Sequence, residues 1–533
     1  MARTLSETLR EVTIEYLDNL DMDNLPSTHE IEADILDLCS TRIQAMNSIK
    51  QRGDKWKIPH TLTPAQIADI ISRLYHVRNI ACAGENADRS YDLLAVYQTE
   101  GPNRGIYVTD EYAIGKLVHS FSYNASTRDI NEVIAILKEQ SPRVKRNEDR
   151  DLIAVNNGIF DYKTKTLSDF NPDYVFIAKS HVDYNDKATN VVIHNPNDGT
   201  DWDIESWMDD LSDDPEIVQS LWEILGAIIR PNVVWDKSAW FYSNTGNNGK
   251  GTLCALMRNL SGEGSYASIS LSDFSKDFML EPLISSSAVI VDENDVGIYI
   301  DKCANLKAVI TNDVIQLNRK FKTPIAYRFK GFMVQCLNEY PRIKDTSDSF
   351  YRRQLFIPFN KCFTGKERKY IKNDYLHRPE VLEYVLYKVL HMDYYTLSEP
   401  AACREALEEY KQFNDPVRQF LDEMLSQCAW KLLPYNFLYD LYKEWFKRNS
   451  PNGGMQGKNT FINDLKNMLG NYTDWTVANN GNPVRPKGLM DYPEPLVGEY
   501  NLTNWMNTSY TGGNVNIKYI PLLKDSYKGI LRI

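Results

Sequence analysis

The chain has 533 residues, of which 43% are hydrophobic and 25% charged, and its formal net charge is −12. This length predicts about three domains with ample cores, and the negative charge argues against a protein covered by nucleic-acid-binding surface. We find no signal-peptide pattern, no apolar run long enough to span a membrane and no CxxC pair among the eight cysteines. These features predict a reduced cytoplasmic protein without a zinc site.

The first 90 residues show helical periodicity. Apolar residues recur at the spacing of amphipathic helices in Leu5–Leu17, Ile31–Ile49 and Pro64–Leu74. Farther along, Leu93–Tyr97 and Gly105–Val108 surround a Gly-Pro-Asn turn and predict a hairpin. A primase would need paired acids on a strand, but Asp21 and Asp23 lie between predicted helices. We therefore interpret residues 1–145 as an N-terminal accessory or partner-binding domain.

Two patterns separate this region from the central motif. Leu152–Asp161 predicts a strand, a turn and a second strand, and Glu216–Ile229 predicts a helix that ends before Pro231. The apolar run Ala239–Tyr242 then predicts a buried strand, which leads into a Gly- and Asn-rich loop.

The most informative segment is this loop. It ends at Lys250, where a helical pattern begins. A strand, a Gly-rich loop, a Lys and a helix form a P-loop, in which backbone N–H groups and the Lys ammonium bind phosphate. The pattern predicts a nucleoside triphosphate site whose loop is Thr245, Gly246, Asn247, Asn248, Gly249, Lys250, Gly251 and Thr252.

The loop departs from the strict P-loop pattern at two positions. The pattern has Gly at 244 and Ser or Thr at 251, where this chain has Asn244 and Gly251. Because Asn tolerates left-handed backbone conformations, Asn244 can serve in place of Gly. The hydroxyl that contacts Mg²⁺ then comes from Thr252, or the metal keeps an additional water. For the segment alone, the alternative is an ordinary strand–turn–helix corner.

Two acids follow the next apolar stretch, Ala288–Val291. Ligands of open α/β sheets bind beyond the carboxyl ends of the strands, which is where this stretch places Asp292 and Glu293. Asp292 is suited to hold Mg²⁺ through water. Glu293 is suited to polarise an attacking water, which indicates hydrolysis. The alternative is a strand that ends in an acidic turn.

Basic charge is concentrated after these acids. Residues 301–374 contain sixteen Lys and Arg but only seven Asp and Glu. This excess favours a polyanionic partner, and a solvated basic face is the alternative. Within it, Val314–Arg328 predicts two strands around a basic tip. The tip combines charge with a stacking ring, which suits single-stranded nucleic acid, and its residues are Arg319, Lys320, Phe321 and Lys322.

Polar residues also flank the last two strands of this region. Phe332–Leu337 predicts a buried strand that ends at Asn338, whose amide can contact the γ-phosphate or the attacking water. Arg352 and Arg353 precede the final strand. An Arg at this position can reach the triphosphate of a neighbouring subunit as an arginine finger. Surface ion pairing is the alternative for the Arg pair.

The order of these elements resembles the superfamily 3 helicases, which are AAA+ enzymes, and in particular the helicase half of phage and plasmid primase-helicases. The resemblance covers roughly residues 150–470. It implies an α/β fold with an AAA+ P-loop core over 236–395. A helical pre-helicase region over 146–235 would precede this core, and a winged-helix-like domain with a tail over 400–533 would follow it.

The resemblance also implies an activity. The expected protein is a replicative helicase that uses ATP and Mg²⁺ to move along single-stranded or forked DNA as a homo-oligomeric, hexameric ring. It would act in a bacterial cell or infected host, away from membranes, beside a separate primase or origin-binding protein. The site residues implied are Lys250 and Thr252 in the A motif, Asp292 and Glu293 in the B motif, Lys320 and Lys322 in the DNA hairpin, Asn338 as sensor, and Arg353 rather than Arg352 as finger.

Two other classes stay open on the residues alone. Gly-Lys-Gly-Thr also occurs in small-nucleotide kinases, although their loop lies near the start of the chain. An AAA+ loader or regulator would hydrolyse ATP without unwinding DNA. The departures from the family at Asn244, Asn247 and Gly251 put the direct Mg²⁺ contact in question but not the nucleotide site.

Overall fold

The structure, a computed structural model, describes residues 3–84, 86–320, 322–449 and 455–533. The chain divides into two compact units. The core unit extends to Val296 and includes Lys302–Glu339 and Arg352–Arg404, whereas the C-terminal unit comprises Gly297–Asp301, Tyr340–Tyr351 and Glu405–Ile533. Within the described ranges, no helix combines the length and apolarity needed to cross a membrane.

The N-terminal part of the core unit combines helices with a mixed sheet. Its elements are α1 (Leu5–Asp18), α2 (Thr28–Ser48), α3 (Pro64–Leu74), β1 (Val77–Ala81), β2 (Leu93–Tyr97), β3 (Tyr107–Val108), α4 (Glu111–Phe121), α5 (Thr127–Gln140) and β4 (Arg143–Lys145). The sheet order is β3-β2-β1-β4. Capping boxes begin several of these helices, in which a Ser or Thr side chain accepts from a backbone N–H three residues later.

The sequence predictions for this part are confirmed for the first three helices and for the hairpin of β2 and β3. The prediction of helical character throughout the first 90 residues is wrong at β1. This strand pairs antiparallel with β2 and parallel with β4, and Val77 and Ile80 are buried. Its partner strands come later in the chain, so local periodicity does not reveal it.

A middle region connects this part to the main sheet. It contains β5 (Leu152–Val155), β6 (Gly158–Asp161), β7 (Thr166–Ser168), β8 (Ile193–Asn195), β9 (Thr200–Trp202), α6 (Ile204–Asp209) and α7 (Pro215–Ile229). The predicted strand–turn–strand is the antiparallel pair β5–β6, and the predicted helix before Pro231 is α7. Most of α7 is buried, in agreement with its nearly continuous apolar sequence.

The chain then alternates strands and helices. In order these are β10 (Ser238–Tyr242), α8 (Lys250–Ser261), β11 (Tyr266–Ala267), β12 (Ala288–Val291), β13 (Tyr299–Ile300), α9 (Ala304–Ile310), β14 (Val314–Arg319), β15 (Lys322–Arg328), β16 (Phe332–Leu337), β17 (Arg342–Ile343), α10 (Asp348–Tyr351), β18 (Gln354–Pro358), α11 (Lys369–Asn373), α12 (Pro379–His391) and α13 (Ala401–Phe413).

The main sheet of the core unit is parallel and has the order β11-β12-β16-β10-β18. Its central strands are buried on both faces, which explains their uninterrupted apolar sequences. Because the strands are parallel, their carboxyl ends lie along one edge, and β16 lies between β10 and β12. The mixed α/β character expected from the sequence is confirmed.

The C-terminal unit contains β13, β17 and α10, together with α14 (Pro416–Met424), β19 (Leu432–Pro434), α15 (Tyr435–Asn449), α16 (Lys458–Met468), β20 (Trp475–Val477), α17 (Pro495–Glu499), α18 (Val515–Lys518) and β21 (Gly529–Arg532). An antiparallel sheet of order β19-β21-β20 packs with an aromatic core that includes Trp430, Phe437 and Phe461.

Candidate nucleotide site and basic hairpin

The predicted P-loop connects the carboxyl end of β10 to the amino end of α8. Gly249, immediately before α8, has a φ of 87°, and Asn247 has a φ of 53°. A Cβ at Gly249 would lie 2.6 Å from Leu211 Cδ2, so glycine is needed there for space as well as for conformation. The sequence suggested that Asn244 could adopt a left-handed backbone conformation in place of glycine. In the structure, Asn247 adopts this conformation instead.

Hydrogen bonds hold the loop in shape. The Asn248 side chain donates to the Thr245 carbonyl at 2.5 Å and accepts from the Lys250 N–H at 3.4 Å. The Asn247 side chain donates to Glu367 Oε1 at 3.0 Å, and its carbonyl accepts from the Phe363 N–H at 2.7 Å. A loop that is shaped before a ligand arrives loses less conformational entropy on binding.

Lys250 is the first residue of α8 and is only 5% exposed. Burial lowers the pKa of its ammonium group. The neighbouring groups are the buried thiols of Cys254 and Cys336, whose sulfurs lie 3.4 Å apart. A partly desolvated cation at a helix N-terminus interacts strongly with an anion, because little water screens the pair.

Asp292 and Glu293 lie at the same edge of the sheet, directly after β12. The Asp292 carboxylate receives two bonds from the Arg258 guanidinium, at 3.1 and 2.9 Å. The hydrogen bond from Arg258 is the main reason that the pKa of Asp292 is lowered. Glu293 is exposed. The two neighbouring acids therefore differ, since one is held by an ion pair and the other faces solvent.

Sequence reasoning missed Arg258 and Asn294. Arg258 lies eight residues after Lys250 on α8, a spacing that places both side chains on the same side of the helix. This helical spacing is the sequence signal that could have identified Arg258. The buried Asn294 amide donates to Gln335 Oε1 at 2.9 Å and to the Cys336 carbonyl at 3.1 Å, and it accepts from the Leu271 N–H at 2.9 Å. These bonds fasten the segment after Glu293 to β16.

Asn338 follows the end of β16 and is exposed. Tyr242 pairs with Leu337, and the Ser243 N–H donates to the Leu337 carbonyl at 3.2 Å. Because neighbouring strands lie about 4.8 Å apart, Asn338 stands between the P-loop strand and the acid strand, which are about 10 Å apart. The topology thus brings the P-loop, both acids and Asn338 to one edge.

Arg352 and Arg353 lie at the opposite edge. They precede β18, and the Arg353 carbonyl accepts from the Ser238 N–H at the amino end of β10. At about 3.3 Å per residue, the length of β10 separates them from the P-loop by roughly 16 Å. Their backbone therefore lies far from the edge that carries the predicted P-loop.

A cavity of about 780 Å³ adjoins the P-loop. Loop residues Asn247, Gly249 and Thr252 contribute to its lining, and aromatic side chains include Trp202 and Phe363. A Cβ at residue 251 would lie 3.9 Å from Lys372 Nζ, which places this cation near the start of α8. Five of the cations counted in the basic region line the cavity, namely Lys361, Lys366, Arg368, Lys369 and Lys372. Part of the basic excess therefore faces the cavity beside the predicted P-loop.

The predicted basic hairpin is formed by β14 and β15, with Arg319 paired to Lys322 across the tip. Phe321 lies outside the described residues. The Arg319 guanidinium donates to the Thr323 carbonyl at 3.2 and 2.9 Å. Lys322 forms an ion pair with Glu111 of α4 at 3.1 Å. Lys320 is exposed. The hairpin thus presents cations, and Lys322 among them has a carboxylate partner.

In the part of the chain that the structure describes, no group of three or more His, Cys, Asp and Glu could hold a metal ion. Mg²⁺ at nucleotide sites is usually held by one or two protein oxygens together with phosphates and water. Thr252 and Asp292 are a donor set of that kind. Each Asp292 oxygen that accepts from Arg258 keeps a second lone pair for a metal-bound water.

Three family models match separate parts of the chain. They are described as "D5 N terminal like" over residues 42–223, a family of unknown function (DUF5906) over 241–353, and "Poxvirus D5 protein-like" over 412–493. No curated protein matches the chain. The D5-type matches confirm the resemblance to superfamily 3 helicases of the primase-helicase kind. The class of protein they support is a phage or viral replication helicase.

Solved structures with some similarity include two apo structures of the NrS-1 C-terminal region. One is the A form, with 12% identity, a TM-score of 0.39, and coverage of 89% of this chain and 100% of that one. The other has 12% identity, a TM-score of 0.38, and coverage of 79% and 96%. The JCV helicase bound to a substituted acetamide has 14% identity, a TM-score of 0.24, and coverage of 45% and 62%.

Proposed function

We propose that the protein is an ATP-dependent DNA helicase with an AAA+ core of the superfamily 3 type. The single observation that carries this proposal is the carboxyl edge of the parallel sheet, which gathers the P-loop, Asp292, Glu293 and Asn338. These are a phosphate cradle, two acids and a polar group at one ligand-binding edge, which is a constellation for hydrolysis of a triphosphate.

In this proposal, backbone N–H groups of the P-loop and Lys250 hold the β- and γ-phosphates. Glu293 accepts a proton from the attacking water, and its exposed position suits a group that must meet that water. Asn338 orients the γ-phosphate or the water. The adenosine lies in the cavity beside the P-loop, between aromatic and basic side chains. Bound Mg²⁺, held through Thr252 and Asp292, would neutralise phosphate charge.

Arg353 is proposed to act on the nucleotide of a neighbouring subunit, with Arg352 as the less favoured residue. Support comes from its location at the opposite edge of the sheet, which is too far for action on the P-loop of the same chain. A finger placed in this way completes each site only in an oligomer. We propose a ring, with six subunits as the expected number.

The basic hairpin is proposed to contact single-stranded DNA through Arg319, Lys320 and Lys322, together with Phe321. Cations on a narrow hairpin suit a phosphate backbone, and a ring adds a surface for base stacking. Binding of this kind depends on salt, because each neutralised phosphate releases counterions.

The remaining domain assignments are also proposals. Over 416–532 the order is helix, strand, two helices, strand, two short helices, strand, with β21 between β19 and β20. This order supports a winged-helix-like module within 400–533. Residues 1–145 are proposed as an accessory domain, 146–235 as the pre-helicase region and 236–395 as the helicase core. A separate primase or origin-binding protein is the expected partner.

The deciding experiment is unwinding of a forked DNA duplex by the full chain with ATP and Mg²⁺. We expect ATP-dependent strand separation that Lys250→Ala abolishes. Lys276→Ala is the matched control, because Lys276 is an exposed lysine paired with Asp273. ATP hydrolysis without strand separation would favour a loader or regulator. Phosphoryl transfer to a nucleoside monophosphate would favour a kinase.

A further inference from the structure

A second cavity, of about 660 Å³, lies between the basic hairpin and the N-terminal sheet within the core unit. The hairpin contributes Arg319, Lys322 and Thr323 to its lining. The N-terminal part contributes further cations, which are Arg89, Lys138 and Arg143. Positive side chains from two distant parts of the sequence therefore face one cavity.

Three acids line this cavity, namely Asp92, Glu111 and Glu139, and the first two have different partners. The Asp92 carboxylate forms an ion pair with the Arg143 guanidinium, with nitrogen–oxygen distances of 2.7 and 2.9 Å. The Asp92 side chain is only 6% exposed. Glu111 instead bridges the two parts, with Oε2 3.1 Å from Lys322 Nζ and Oε1 3.8 Å from Lys138 Nζ. The Glu111 side chain is 40% exposed, and ion pairs with this much solvent contact contribute little to stability.

The surroundings of Glu111 favour an anion. Burial raises the pKa of its carboxyl, but the hydrogen bond and charge of Lys322, with Lys138 and Arg319, more than offset this and lower that pKa overall. Glu111 is also the first residue of α4, where the helix dipole favours negative charge. Another monoanion with two acceptor oxygens could take the same place, and a phosphodiester has this charge and these acceptors.

We propose that this cavity is an additional binding site for single-stranded DNA, in which a backbone phosphate displaces the Glu111 carboxylate and bridges Lys322 and Lys138. The inference rests on the proposed helicase function and extends the DNA path into the N-terminal part. Tyr112, the next residue of α4, is 68% exposed and offers a ring on which a base can stack. Glu111 then acts as an internal occupant that holds the two lysines until a strand arrives.

The test measures binding of a fluorescent oligothymidine to the full chain by anisotropy over a series of salt concentrations. Lys138→Ala should weaken binding several-fold and reduce the salt slope by about 0.7, because one phosphate contact is lost. Glu111→Gln should tighten binding, because the internal competitor is neutralised. The matched controls are Lys163→Ala in the middle region and Glu132→Gln on α5, whose side chains are exposed and do not line the cavity. Thermal melting checks that each variant is folded.

The outcomes separate this site from the proposed function. If Lys320→Ala with Lys322→Ala weakens binding while Lys138→Ala and Glu111→Gln match their controls, the additional site is wrong and the hairpin assignment stands. If the native chain binds no single strand, both are wrong. Tighter binding of oligouridine than of oligothymidine would overturn the assignment to DNA.

Discussion

Two regions of the core unit carry clusters of cations, and their surroundings differ. Beside the predicted P-loop, five cations between positions 361 and 372 line a large cavity at the carboxyl edge of a parallel sheet. At the hairpin, Lys322 faces Glu111 of the N-terminal part. In the sequence both groups belong to one basic stretch. The comparison shows that a local excess of positive charge in the sequence indicates a polyanionic partner. Which anion each cation contacts depends on where the fold places it.

The largest expected effect belongs to the P-loop region. Lys250→Ala should reduce ATP hydrolysis to background, because the phosphates lose a buried counter-charge that water cannot replace. Steady-state phosphate release measures this, with Lys276→Ala as control. Near-native turnover in the Lys250 variant would place the nucleotide elsewhere.

The finger prediction tests whether the nucleotide edge needs a second subunit. Arg353→Ala should lower turnover by about 10³-fold, because a charge that stabilises the transition state is removed in trans. Mixing Arg353→Ala with Lys250→Ala chains should restore part of the activity, since some interfaces then combine an intact finger with an intact P-loop. Arg352→Ala is the matched comparison and should cost less. A monomer by light scattering with turnover independent of concentration would contradict the assignment.

Glu293→Gln sharpens the distinction between binding and hydrolysis at the same edge. It should lower turnover by about 10²- to 10⁴-fold, because only the group that accepts the proton is lost. Affinity for a fluorescent ATP analogue should stay near the native value. Asp295→Asn, an exposed acid two residues away, is the control. If the Gln variant hydrolyses ATP at the native rate, the assignment of Glu293 is incorrect.

The backbone of the edge that carries the predicted nucleotide site was largely predictable because its parts are local. The strand before Ser243, the loop to Lys250 and the acids after Val291 each have a signal within a dozen residues, and parallel topology then gathers them. The ion pair between Arg258 and Asp292 was not predicted, although helical spacing places Arg258 on the face of Lys250. The roles of these residues stay predictions, since geometry alone does not establish them.

The hairpin region was predictable only in its backbone. Alternation of apolar residues indicated β14 and β15, but nothing near Lys322 indicates that Glu111, more than 200 residues earlier, would bond to it. The strand β1 was missed for the same reason, since its partners are remote in sequence. Long-range pairing of charges and strands depends on the assembled fold, which local patterns do not encode.

The most direct test of the proposed helicase function is stimulation of ATP hydrolysis by DNA. Such stimulation requires that the hairpin binds DNA, that the P-loop region hydrolyses ATP, and that binding at the first changes the rate at the second. In Lys320→Ala with Lys322→Ala, turnover without DNA should equal that of the native chain, and stimulation by single-stranded DNA should disappear. The salt slope of binding should flatten by about one to two units, at roughly 0.7 per phosphate. Lys163→Ala with Lys187→Ala, two exposed lysines on other segments, should behave like the native chain. Full DNA stimulation with an unchanged salt slope in the hairpin variant would contradict the account.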